Sequence, residues 1–113
     1  MTTRDAILAG DRDGVDPGEV QQLLADEPAF LLTVLKDGTT EGLHLAVELG
    51  FDVNAMDSYT PLHHAAAAND VATVQWLLDR GANTLEVKDD EYGATPLGWA
   101  KFFDAPDTTA LLS

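Results

Sequence analysis

The sequence contains no cysteine. Disulfide staples and thiol catalysis are excluded, and a reducing compartment fits. Serine is nearly absent too: Ser58 and Ser113 are the only two, and neither sits in a nucleophile elbow. No glycine-rich phosphate loop occurs. No apolar run reaches the length of a signal peptide core or a membrane span, so the expected location is cytoplasmic. Basic residues are scarce, with 6 Lys and Arg against 20 Asp and Glu, a formal net charge of −14. Such a surface repels phosphate backbones and anionic lipids, which disfavours nucleic acid and membrane partners. It would steer in a basic protein; the plainer reading is that acidity keeps a small protein soluble.

What is present is ordinary in amount and patterned. A length of 113 residues fits one domain, and 45% hydrophobic residues fit a folded chain. The organising stretch is Thr60-Pro61-Leu62-His63-His64-Ala65-Ala66, continuing through Asn69-Asp70 to Leu77-Leu78-Asp79-Arg80-Gly81-Ala82. Thr60 suits a helix N-cap and Pro61 the first helical position. Asn69-Asp70 breaks that helix and caps a second, whose apolar stripe is Val71, Val74, Leu77 and Leu78. Gly81 closes it in the left-handed region. A helix pair this small cannot bury its own apolar face, so it must stack on similar units. An echo follows at Thr95-Pro96-Leu97-Gly98-Trp99-Ala100.

These residues resemble the ankyrin repeat. The marks are TPLH at 60–63, the Ala pair at 65–66, Leu77-Leu78, Gly81-Ala82 and the second TPL at 95–97. The resemblance implies an all-α solenoid of about four helix-turn-helix units with projecting β-turn or hairpin loops, used to bind other proteins. It also implies that His63 bonds to loop backbone and holds the turn.

Taken in order, residues 2–27 read as an N-terminal capping helix pair. Ala6 to Ala9 form a short helix stopped at Gly10, and a second opens at Pro17. Residues 28–50 read as a degenerate repeat without the signature. Pro28 starts its first helix, Gly38 ends it, and Thr39 or Thr40 caps the next. Residues 51–82 are the signature repeat. Residues 83–113 carry an extended loop, with Gly93 available for positive φ, and a short capping repeat in which Gly98 replaces the motif histidine and Lys101 the second alanine. Pro106 opens its last helix. The expectation is one small domain with wet ends.

Catalysis finds little support. His63 and His64 point about 100° apart on a helix and cannot easily share a metal. His44 falls on an outer helix face. Asp11-Arg12-Asp13-Gly14-Val15-Asp16 looks like a calcium loop but has Gly at its fourth position and Gln22 at its twelfth, so a capping turn reads better. Asp89-Asp90-Glu91 reads as an acidic turn. The expectation is a non-enzyme with no metal or cofactor.

By position in the resembled family, the contact surface comprises loop tips and the inner faces of first helices. The candidates are Met56, Asp57, Tyr59, Glu91 and Tyr92 in loops, and His64, Ala68, Trp99, Phe102 and Phe103 on helices. Five of the chain's eight aromatic residues are among them, and aromatic rings are costly to leave wet. The competing reading for Phe102 or Phe103 is packing under the C-terminal helix. Trp76 reads as packing. The reading is a monomeric protein-interaction module with a protein partner; the rivals are an acidic, immunity- or antitoxin-like inhibitor of a basic protein and a self-associating structural protein.

Overall fold

A computed structural model describes residues 2–82 and 87–113. The described residues form eight α-helices and one 3-10 turn, with no strand beyond an isolated bridge. None of these helices is long and apolar enough to cross a membrane. The chain falls into two compact units, Met1–Ala55 and Met56–Ser113.

The first unit holds α1 (Thr3–Ala9), a 3-10 turn (Arg12–Gly14), α2 (Pro17–Asp26), α3 (Phe30–Asp37) and α4 (Thr40–Glu48). Each boundary has a local cause. Thr2 caps α1 through the Asp5 N–H, and Gly10 ends it at φ 75°. Asp11 caps the 3-10 turn and Asp16 caps α2, so both ends of the acidic stretch 11–16 are spent on capping. The expected helix start at Pro28 is corrected. Pro28 lies in a turn closed by the Phe30 N–H on the Glu27 carbonyl, 2.9 Å, and α3 begins two residues later. Thr39 is the cap of α4, accepting from the Gly42 N–H. Ala6, Ile7, Val20, Phe30, Leu31, Val34, Leu43, Leu45, Ala46 and Phe51 fill the core. The rings of Phe30 and Phe51 meet at 5.5 Å.

Helices α1 and α4 touch backbone to backbone. The Thr39 N–H donates to the Leu8 carbonyl at 2.9 Å, and the Thr39 hydroxyl adds a second bond to it. Gly42 allows this approach: a Cβ there would sit 2.4 Å from the Leu8 carbonyl oxygen.

The second unit holds α5 (Pro61–Ala67), α6 (Val71–Asp79), α7 (Pro96–Phe102) and α8 (Pro106–Leu112). Helix α5 packs on α6 and α7, and α7 on α8. Leu62, Ala65, Ala66, Val74, Leu77, Ala100, Ala105 and Leu112 are buried between them. Asn69, at φ 57°, turns the chain from α5 to α6, and Asp70 caps α6. Asn69 also acts at long range. Its Oδ1 accepts from the Asp107 and Thr108 N–H groups at 2.9 and 3.1 Å, supplying the cap that Ala105 cannot give α8. The buried Thr108 hydroxyl donates to the Ala66 carbonyl at 2.7 Å. Gly81 and Gly93 take positive φ, as their turns require. Part of the long loop, residues 83–86, lies outside the described residues.

Candidate functional site

The site lies in the second unit and is built around two polar residues, His63 and Asp89. Thr60 caps α5 by accepting from the His63 N–H, and the imidazole folds back on the cap, completing a capping box. The ring's other nitrogen reaches the Ala94 carbonyl at 2.8 Å. A carbonyl only accepts, so Nε2 carries the proton. Nδ1 is then the acceptor for the Thr60 N–H at 3.2 Å and the Thr60 hydroxyl at 2.8 Å. The imidazole is fully buried. Burial holds its pKa below the ordinary histidine value, against the opposing pull of the Ala94 carbonyl and the Asp89 charge. His63 therefore ties the start of α5 to the turn 31 residues on, the role the resemblance implies.

Asp89 organises that turn. Its Oδ2 accepts from the N–H groups of Glu91 at 3.0 Å and Tyr92 at 2.6 Å. Its Oδ1 accepts from the Ala94 N–H at 2.7 Å and the Trp99 indole N–H at 3.0 Å. Burial alone would raise its pKa. The N–H groups of Tyr92 and Ala94, the indole and the Glu91 N–H outweigh it and hold the carboxyl at about 2. Asp89 is thus a buried carboxylate, ionised throughout the physiological range, that fixes both the turn and the indole of Trp99.

The aromatic residues extend from this anchor. Trp99 meets the edge of His63 at 5.1 Å, Tyr59 at 4.9 Å and Phe103 at 5.9 Å. Phe103 meets Phe102 at 5.2 Å, and Tyr59 stacks over His64 at 6.5 Å. A groove of about 290 Å³ is lined by Tyr92, Ala94, Gly98, Trp99, Phe102 and Phe103. Gly98, in the position His63 holds in α5, contributes no side chain to it. The outer rings are wet: Phe102 is 83% exposed, Tyr92 75% and Phe103 56%. Packing of Phe102 or Phe103 beneath the C-terminal helix, the competing expectation, is overturned by these exposures. Phe102 is the last residue of α7 and Phe103 its C-cap, so both project where α7 ends, while Ala105, Thr108 and Leu112 fill the space beneath α8.

The remaining candidates are less closely gathered. Asp57 forms a one-residue bridge with Tyr59 across Ser58, and the Ser58 carbonyl accepts from the Asp90 N–H at 2.7 Å. Met56, Asp57 and Glu91 are exposed loop residues. Ala68, exposed at the end of α5, does not line the groove. Trp76 is half-buried and carries the Arg80 guanidinium over its ring at 4.2 Å. His44 is exposed on α4. No group of three or more metal-ligating side chains occurs among the described residues. Sequence reasoning missed the part played by Asp89 and the groove floor at Ala94 and Gly98. The available signal was an Asp standing four residues before a turn glycine, Gly93.

Helix pairs in series and a cap-bound histidine that holds the following turn define a repeat protein. A family model of ankyrin repeats in three copies matches residues 14–113, and the chain belongs to that family. Similar proteins include the ankyrin repeat protein FPV219 of fowlpox virus, 41% identical over 59 residues, which cover 50% of this chain and 14% of that protein. Another is XBAT34 of Arabidopsis thaliana, named as an E3 ubiquitin-protein ligase. It is 42% identical over 65 residues, 54% of this chain and 17% of that protein. The chain therefore spans about a sixth or less of these relatives. Ankyrin repeats are in general protein–protein interaction modules, and the family is typically non-catalytic.

Proposed function

We infer that this chain is a non-catalytic module that binds a protein partner, and that the groove between the Asp89 turn and α7 is its main contact surface. The observation that carries the reading is the exposure of Tyr92, Phe102 and Phe103 around one groove whose floor is fixed by a fully bonded carboxylate. Covering the exposed Phe102 and Phe103 rings contributes up to about 1.5–3 kcal/mol each, and the exposed Tyr92 ring adds to that. A rigid floor lowers the ordering cost of that contact. Met56, Asp57, Tyr59, His64 and Glu91 belong to the rim. The test is affinity capture from native lysate with wild type and with Tyr92→Ala/Phe103→Ala, a double variant of confirmed fold. A protein retained by wild type and lost by the variant supports the reading. Equal retention by both refutes the surface assignment.

A further inference from the structure

Building on that reading, we propose that the groove accepts an arginine side chain of the partner, its guanidinium lying against the faces of Trp99, Phe103 and Tyr92. The groove's walls are aromatic, and Trp99, Phe102 and Phe103 are inclined to one another at 49° and 79° rather than stacked flat. The face of an aromatic ring is negative, so a cation held within about 6 Å is attracted to it. At the edge of the indole lies Asp89, whose carboxylate accepts the Trp99 N–H at 3.0 Å. That bond draws the indole proton towards a fixed negative charge and makes the ring face more negative. Among the described residues no cationic side chain lines the groove, and in the same unit the exposed Asp57, Asp90, Glu91 and Asp104 outnumber the exposed Arg80, Lys88 and Lys101. A purely apolar side chain would use the groove's shape but none of its charge.

Arginine fits better than lysine for two reasons. The guanidinium is planar and weakly hydrated, so it gives up little water when it stacks on a ring. The aliphatic stem can cover the flanking Ala94 and Gly98. Among the described residues the chain makes this contact with its own side chains. The Arg80 guanidinium lies 4.2 Å from the Trp76 ring centre, and that of Arg4 lies 4.6 Å from Phe30. Unlike those two rings, the groove has no arginine of the chain's own among the described residues that line it.

The test is a random dodecapeptide library displayed on phage, panned on wild type and counter-selected on Tyr92→Ala/Phe103→Ala. Both substituted side chains are exposed, and circular dichroism checks that the variant is folded. The expected result is a set of wild-type-specific peptides that share an arginine. Replacing that arginine by citrulline, its uncharged isostere, then weakens binding about tenfold or more. Wild-type-specific peptides without arginine, or a citrulline peptide that binds equally well, would overturn this proposal and leave the groove a protein site. No peptide that prefers wild type would overturn both readings. Self-association of wild type that the variant lacks would make a second copy the occupant, and the arginine would be wrong.

Discussion

His63→Ala is the perturbation whose cost can be worked most fully. The substitution removes the donor to the Ala94 carbonyl and the acceptor of the Thr60 N–H, each bond contributing about 1 kcal/mol net. The Thr60 N–H is then stranded in a buried cap, which adds about 1–3 kcal/mol. The edge contact with Trp99 contributes about 0.5–1.5 kcal/mol more. The expected destabilisation at pH 7.5 is about 3.5–6.5 kcal/mol, measured by urea unfolding followed at 222 nm. The penalty should also depend on pH with a definite sign. Burial disfavours the imidazolium, which holds the pKa of His63 low in the folded state, and protonating Nδ1 would also set its new N–H against the Thr60 N–H. Above the unfolded value of about 6.5 the contribution is complete. As pH falls below it, the unfolded chain takes up a proton that the folded chain refuses. Stability attributable to His63 then falls by about 1.4 kcal/mol per pH unit until the folded pKa is reached. The gap between wild type and variant should therefore narrow at pH 5.5. A penalty under about 1 kcal/mol at pH 7.5, or a gap that widens on acidification, would mean that His63 does not hold the cap as a neutral acceptor.

Three further outcomes follow from the same geometry. Gly42→Ala should destabilise by about 1–3 kcal/mol in urea unfolding, although alanine gains about 1 kcal/mol of helix propensity. The new Cβ would strike the Leu8 and Ile7 carbonyl oxygens at 2.4 and 2.6 Å. Asp89→Asn turns an amide NH2 towards two N–H donors, so the melting temperature should fall and the Trp99 emission shift. Stability held by Asp89 is present above the ordinary carboxyl value of 3.8 and lost as pH falls towards about 2, so this variant should lack that acid limb. Phe102→Ser should change stability by no more than about 0.5 kcal/mol, because the ring is 83% exposed; a larger loss would mean that the ring packs after all.

The signature repeat was legible because its residues act on near neighbours. Thr60 caps its own helix, Asn69-Asp70 turns the chain locally, and Gly81 needs only its own φ. The two helices between residues 28 and 50 were legible for the same reason, apart from the start at Pro28. Proline is compatible with a helix start and with a turn, and the Phe30–Glu27 bond that selects the turn is not visible in a pattern. The aromatic candidates were located by position, but their fates were not. Trp99 reaches Asp89 ten residues away, and Asn69 reaches Asp107 and Thr108 across nearly forty. Such bonds depend on the stacked backbone. Asp89 looked like one acid in a run of three because Asp90 and Glu91 share its composition and not its burial.

The central claim is that the groove of the second unit is covered by a partner protein. Site-specific photo-crosslinking in native lysate tests it most directly, with benzoylphenylalanine in place of Phe102 and, as control, in place of Gln21, exposed on α2 of the first unit. A discrete protein adduct is expected from position 102, abolished by Tyr92→Ala/Phe103→Ala, and none from position 21. An adduct from position 21 with none from 102 would contradict it.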